Sequence, residues 1–212
     1  IVLNVYSPPI LQLLADLPLP KVYLDTIPTL PFSRLHGDIL LIEAGLVRQI
    51  TGRLLDKGHT RLGFLGDVQY AQTNTDRYRG FLDAFAERGL TPTTFLTGPL
   101  GLRTHYEEIS YFLEHLKTRP DGFVCVSDYI AHFIQRYYEE KGTGRKTGGP
   151  DRLRQQRRVP ERGGTDHHRG RTAQDPGARL ASKILFAIEH PGLAQEVSYV
   201  TSNILYRGLL AE

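Results

Sequence analysis

The 212-residue chain is predicted to be an α/β protein with parallel sheets flanked by helices. Three observations predict it. Short apolar runs alternate along the chain with segments of helical periodicity. Several of those runs are almost continuously apolar, the pattern of strands covered by helices on both faces. Each helical segment carries one apolar face and stops near a glycine or a proline.

Taken in order, "IVLNV" at 1–5 and "KVYLD" at 21–25 read as strands. Residues 43–57 read as a helix, because Leu46, Val47, Ile50, Leu54 and Leu55 fall on one face and Gly58 follows as a stop. "RLGFLG" at 61–66 is the next strand. Over 76–88, Tyr78, Phe81, Leu82 and Phe85 make a second helical face, closed by Gly89. "PTTFLTG" at 92–98 and "GFVCVS" at 122–127 read as strands. In 128–141, Ile130, Ala131, Phe133, Ile134, Tyr137 and Tyr138 line up, with Ser127 as the N-cap and Gly142 after the end. A last helix runs over 177–191 and ends at Pro191, before a final strand, "EVSYVTS", at 196–202. No internal repeat is visible.

Composition narrows the function classes. The hydrophobic content of 40% and charged content of 23% are ordinary for a soluble globular protein. The net charge is +3, but residues 143–175 hold nine Lys/Arg against four Asp/Glu, so that tract carries +5 and the remainder −2. The basicity therefore says nothing about the main fold. The one cysteine, Cys125, excludes a disulfide framework within the chain and sits in a run that suits a buried strand. No apolar run reaches the length of a membrane span. No signal peptide is visible, although "IVLNVYSPP" begins without Met and inside a strand, as a fragment would. There is no glycine-rich phosphate loop, no nucleophile elbow and no Cys/His cluster of usable spacing, so no enzyme, cofactor or metal site is expected.

Several segments, taken in order, resemble one known family. "LLDKGHTRLGFLGD" (54–67) followed by "TNTDRYRGFLDAFAERGL" (73–90) resembles the effector-binding core of the lactose-repressor (LacI/GalR) family of bacterial transcription regulators. The family's helix ending in Gly-His corresponds to Gly58-His59, and its Arg-x-x-Gly-aromatic helix opening to Arg77, Gly80 and Phe81. "PKVYLD" (20–25) looks like its Pro-strand-Asp segment, and "DGFVCVSDYIAHFIQRYYEEKG" (121–142) like its strand-Ser-Asp helix. "GARLASKILFAIEHP" and "EVSYVTSNILYRG" look like its closing helix and last strand. The resemblance implies a two-lobed, type I periplasmic-binding-protein-like fold, N-terminally truncated, with "IVLNV" as the third strand of its lobe. It implies an incomplete N-terminal lobe from 1–67 plus 168–191 and a C-terminal lobe from 68–167 plus 192–212. It implies a homodimer in the cytoplasm, binding DNA through a helix-turn-helix domain absent from this chain. A sugar or related metabolite would sit in a cleft between the lobes, beyond the carboxyl ends of the strands.

The tract at 143–175 stands apart from all of this. The family continues here with Pro-Glu-Asp, Gly-Phe-Asp and Leu-Thr-Thr, and none is present. "DRLRQQR" (151–157) is encodable so that a one-base shift reads Thr-Gly-Phe-Asp-Asn-Asn. Thr147-Gly148-Gly149 can likewise hide Pro-Glu-Asp, and Thr165 to His168 can hide Leu-Thr-Thr-Ile. Three motifs in order point to translation out of frame from about 143 to about 175. The rival readings are a basic arm on phosphate, a solvated linker and a metal site at His167-His168. With only Leu153, Val159 and Ala173 as aliphatic residues, the tract is expected to bury little.

The resemblance also supplies candidate effector contacts. Asp25 stands at the end of a strand, where a carboxylate can accept a ligand hydroxyl or simply close a turn. Arg77 opens a helix, and its fork of donors can hold a hydroxyl or carboxylate in fixed geometry or form a surface ion pair. Thr73 lies four residues before it and can equally be a loop hydroxyl. Ser127 is both an N-cap and a strand-end position, Asp128 beside it suits the helix dipole, and Tyr70 can stack on a ring or lie on the surface. Two functions compete: the effector-sensing, dimerising core of a repressor, and a periplasmic sugar-binding protein of a transport system. The stretch "KGHTRLGFLGD" favours the first.

Overall fold

The computed structural model describes residues 1–101, 103–142 and 176–201. These fall into two compact units, each built on its own parallel sheet. The first comprises Ile1–Glu43, Gln69–Thr75 and, of the described residues, 176–201. The second comprises Ala44–Val68 and, of the described residues, 76–101 and 103–142.

The first unit has four strands: β1 (Val2–Leu3), β2 (Val22–Leu24), β3 (Asp38–Ile42) and β7 (Val197–Val200). They lie in the order β1-β2-β3-β7, all parallel, with Leu3 opposite Leu24, Leu24 opposite Leu40 and Ile42 opposite Val200. Side chains alternate between the faces of a strand, and the core follows that alternation. Tyr23, Ile39 and Leu41 cluster with Leu11 of α1 (Pro8–Asp16). Val22, Leu40 and Val200 cluster with Leu180 of α6 (Pro176–Glu189). A parallel sheet covered by a helix on each face is the arrangement expected from the apolar runs. Tyr23 is fully buried, its hydroxyl donating to the Leu35 carbonyl at 2.9 Å. Burial pushes that phenol up to about 12.

The second unit has three parallel strands in the order β5-β4-β6: β4 (Leu62–Leu65), β5 (Thr94–Leu96) and β6 (Gly122–Cys125). All four residues of β4 are buried, as suits a central strand. Four helices accompany them: α2 (Gly45–Asp56), α3 (Gln72–Ala86) from Asp76 onward, α4 (His105–Glu114) and α5 (Asp128–Glu140). Their apolar faces enter one core around Phe64, through Leu55, Phe81, Phe85, Ile109, Ile130 and Ile134. The Phe64 ring meets Tyr78 at 4.9 Å and Phe81 at 5.2 Å, centroid to centroid. Directly after β4, Gly66 has φ 140°, and a Cβ there would overlap Cγ2 of Val126. Only glycine lets the chain leave β4 in that direction against that neighbour.

The strands and helices read from the sequence are present, and four further elements join them: β3, α1, α4 and a short 3-10 helix at Phe32–Arg34. The lobe boundaries differ from the sequence-based division. Residues 44–67 belong to the second unit, because β4 pairs with β5 and β6. Residues 69–75 and 192–201 belong to the first, the latter because β7 pairs with β3. The expectations for 143–175 and the end of the last strand, from 202, lie outside the described residues.

Candidate functional site

The candidate residues gather at the carboxyl ends of the strands of their own sheets, where open parallel sheets place their ligand sites. In the first unit the chain leaves β2 through Asp25, whose φ of 63° is left-handed. An aspartate tolerates that conformation better than most side chains. Its backbone N–H still pairs with the Leu40 carbonyl at 2.9 Å, so the sheet register holds to the turn. The carboxylate oxygen Oδ1 accepts two backbone N–H groups, from Thr26 at 2.8 Å and from Thr73 at 3.2 Å.

That contact joins residues 48 apart in sequence. Thr73 is the second residue of α3, and the N–H of the first, Gln72, donates to the Thr26 carbonyl at 2.7 Å. The turn after β2 thus satisfies donors that a helix leaves open at its N-terminus, and a carboxylate is favourably placed there. Asp25, Thr26 and Thr73 are all buried. The hydroxyls of Thr26 and Thr73 are enclosed, with no protein acceptor or donor for either. Thr73 therefore enters the site through its backbone N–H, with its hydroxyl behind the surface. Tyr70 precedes α3 and is 47% exposed, its ring 4.5 Å from that of Tyr6 at an interplanar angle of 42°.

In the second unit, Arg77 is half-buried on α3, and its Nη1 donates to the carbonyl oxygen of Val126, the residue following β6. Ser127 comes next in extended conformation, and its Oγ accepts the Ile130 N–H at 3.4 Å, the N-cap that its position in the sequence suggests. Asp128 is exposed in the first turn of α5, where its charge complements the helix dipole. Burial, together with the Asp128 charge, pushes the half-buried Cys125 thiol up to about 12, which favours the protonated, less nucleophilic form. Arg79, two residues after Arg77, is an exposed side chain 3.7 Å from Asp76.

The structure thus groups Asp25, Tyr70 and Thr73 in the first unit and Arg77, Ser127 and Asp128 in the second. Sequence reasoning missed Tyr6 and Thr26. The signal for both was available, since each lies just past a strand's carboxyl end. Among the described residues, no group of three His, Cys, Asp or Glu side chains could hold a metal ion. His167-His168 lies outside them. No helix of the described residues is long and apolar enough to cross a membrane.

Residues 51–144 match the family of periplasmic binding protein-like domains. The HTH-type transcriptional repressor PurR of Photobacterium profundum is 27% identical over 94 residues, 43% of this chain and 28% of that protein. This match spans less than a third of the relative. Among solved structures, a putative transcriptional regulator of the LacI family from Sanguibacter keddieii DSM 10542 superposes with a TM-score of 0.61 at 20% identity, over 90% of this chain and 71% of that one. The complex of the transcriptional regulator CelR with cellobiose gives a TM-score of 0.70 at 16% identity, over 96% of this chain and 63% of that one. The fold is therefore the periplasmic-binding-protein-like α/β fold.

Proposed function

We propose that the chain is the effector-sensing and dimerising core of a DNA-binding transcriptional repressor, with a sugar or related metabolite as effector. The observation that carries the reading is the contact of Asp25 with the N-terminus of α3. It gathers an acidic side chain, backbone N–H groups and aromatic rings at the carboxyl end of one sheet, the chemistry that recognises a polyhydroxylated ring. Arg77, Ser127 and Asp128 supply a second polar group at the end of β6. Arg77 brings a planar donor fork for hydroxyl or carboxylate oxygens.

Such a core regulates by differential affinity: an effector that binds one conformation better than another shifts the population, and DNA affinity follows. DNA would be read by a helix-turn-helix domain outside these 212 residues, in the cytoplasm. Leu185, Phe186 and Ile188 are exposed on α6 of the first unit, an apolar surface of the kind that partner subunits cover, which supports the homodimer. A sugar-binding protein of a transport system has the same fold. The PurR relative and the regulators among the structural neighbours favour the repressor.

Calorimetric titration with D-glucose, D-galactose, D-ribose and cellobiose tests the sugar reading. At least one should give a saturating isotherm, and Arg77→Ala should abolish it. The Val126 carbonyl then loses a donor, a cost of about 1–3 kcal/mol, which the chain should survive folded. The absence of any isotherm with the parent chain would remove the sugar reading. A helix-turn-helix encoded upstream supports the repressor, and a signal peptide there refutes it.

A further inference from the structure

The second unit carries a hollow away from the residues assigned above. The chain leaves α4 at Glu114 and enters β6 at Gly122, so the segment between them lies at the amino end of the sheet. Val126 and Ser127, which follow β6, lie at the other end. A hollow of about 390 Å³ opens at that amino end among Leu113, Leu116, Arg119, Tyr137, Tyr138 and Lys141, a size that suits a small molecule. Its inner part is apolar, since Leu113 and Tyr138 are buried. The Tyr137 and Tyr138 rings meet edge to face, 5.2 Å apart at 77°. The Arg119 guanidinium lies 4.4 Å from the centre of the Tyr138 ring, and Lys141 Nζ lies 5.8 Å from that of Tyr137. Burial holds the Tyr138 phenol above its ordinary value against the pull of Arg119, so its hydroxyl stays neutral. Glu114 also lines the hollow and pairs with Lys141 at 2.6 Å. That carboxylate answers one of the two cations. Arg119 belongs to no helix and, among the described residues, has no carboxylate partner. The hollow therefore keeps one unmatched positive charge beside aromatic and aliphatic walls.

We propose that this hollow is a second small-molecule site, and that it takes a small aromatic carboxylate. A guanidinium stacked over one ring keeps the donors along its edge, and two of them match the two oxygens of a carboxylate. Lys141 adds charge from the opposite side while it remains paired with Glu114. The ligand's ring would pack against Leu113, Leu116 and the Tyr137 ring, where an edge-to-face or offset contact is favourable beyond the area it buries. A single carboxylate matches the one unmatched charge. Inorganic phosphate brings more charge than the hollow answers and no ring to bury. An aliphatic acid of the same size fills the apolar part without the aromatic contact. The site shares no residue with the sugar site and does not depend on the sugar reading.

The experiment uses the full chain with benzoate, cyclohexanecarboxylate and inorganic phosphate as probes, read by saturation-transfer NMR and calorimetry. Benzoate should saturate, and should bind about threefold or more tighter than cyclohexanecarboxylate. Arg119→Gln should weaken benzoate by about tenfold or more, and Arg119→Lys, which keeps the charge and loses the fork, by less. Tyr137→Leu should bring the two acids to equal affinity, a ratio that a merely structural role would not move. Tyr129→Ala, an exposed tyrosine at the start of α5, should bind benzoate as the parent chain does. None of the four sugars should displace benzoate. Absence of benzoate saturation in the parent chain overturns the proposal, and so does unchanged affinity in Arg119→Gln. Phosphate competing as well as benzoate, or an unchanged ratio of the two acids in Tyr137→Leu, refutes the aromatic carboxylate as its ligand.

Discussion

Replacing Asp25 with alanine tests the contact on which the first unit's site is built. The substitution removes the acceptor of two buried N–H groups, those of Thr26 at 2.8 Å and Thr73 at 3.2 Å. Each orphaned donor costs about 1–3 kcal/mol. Alanine at φ 63° adds about 1 kcal/mol of backbone strain that aspartate partly avoids. Water entering the turn relieves some of this, so the expected loss is about 3–5 kcal/mol. That is a large share of the roughly 5–15 kcal/mol that stabilises a typical domain. Asp25→Asn keeps a carbonyl acceptor and tolerates the left-handed backbone, losing only the charge assistance, for about 1 kcal/mol. With two compact units in the chain, a single midpoint does not isolate the first, so amide hydrogen exchange is the sharper assay. The Thr26 and Thr73 amides should lose protection in Asp25→Ala and largely retain it in Asp25→Asn. A stability loss below about 1 kcal/mol with both amides still protected in Asp25→Ala would refute the capping role.

Three other outcomes follow from the same geometry. Phe64→Ala should cost about 3–5 kcal/mol in urea unfolding of the second unit, because the fully buried ring leaves a cavity among Tyr78 and Phe81; a loss below about 1 kcal/mol would mean that the core closes over the gap. The phenol of Tyr23 is raised from 10.0 to about 12, so its contribution is fully present below about pH 10 and lost as pH rises toward 12. Thermal midpoints should fall over that alkaline window, less steeply in Tyr23→Phe. The Cys125 thiol, pushed up to about 12, should resist a thiol reagent at pH 8 in the folded chain and react at once in denaturant; rapid labelling of the native chain would show that β6 is open to solvent.

The sequence by itself determined the local elements. Continuous apolar runs such as Leu62–Leu65 marked strands buried on both faces, and the stripe Ile130, Ala131, Ile134 and Tyr138 marked the buried face of α5. Ser127 was legible as an N-cap because the signal is its own side chain and a donor three residues on. Three of the four further elements escaped for local reasons. α1 went unread between two strands, although a helix's first turn tolerates the two prolines that open it. The short run of β3 lay hidden between stretches of turn residues, and α4 follows a Pro- and Gly-containing loop that carries little periodicity. Long-range pairing was beyond any local signal. Val200 lies opposite Ile42, 158 positions away, so β7 joined the first unit's sheet and not the C-terminal lobe that the resemblance implied. The start of α3 is the clearest case. Periodicity placed it near Asp76, but the helix begins at Gln72, because the Thr26 carbonyl and the Asp25 carboxylate accept its first N–H groups. Helix periodicity is written in neighbouring side chains. A helix terminus satisfied from another segment is written only in the fold, because the acceptor's position depends on the whole sheet that carries it.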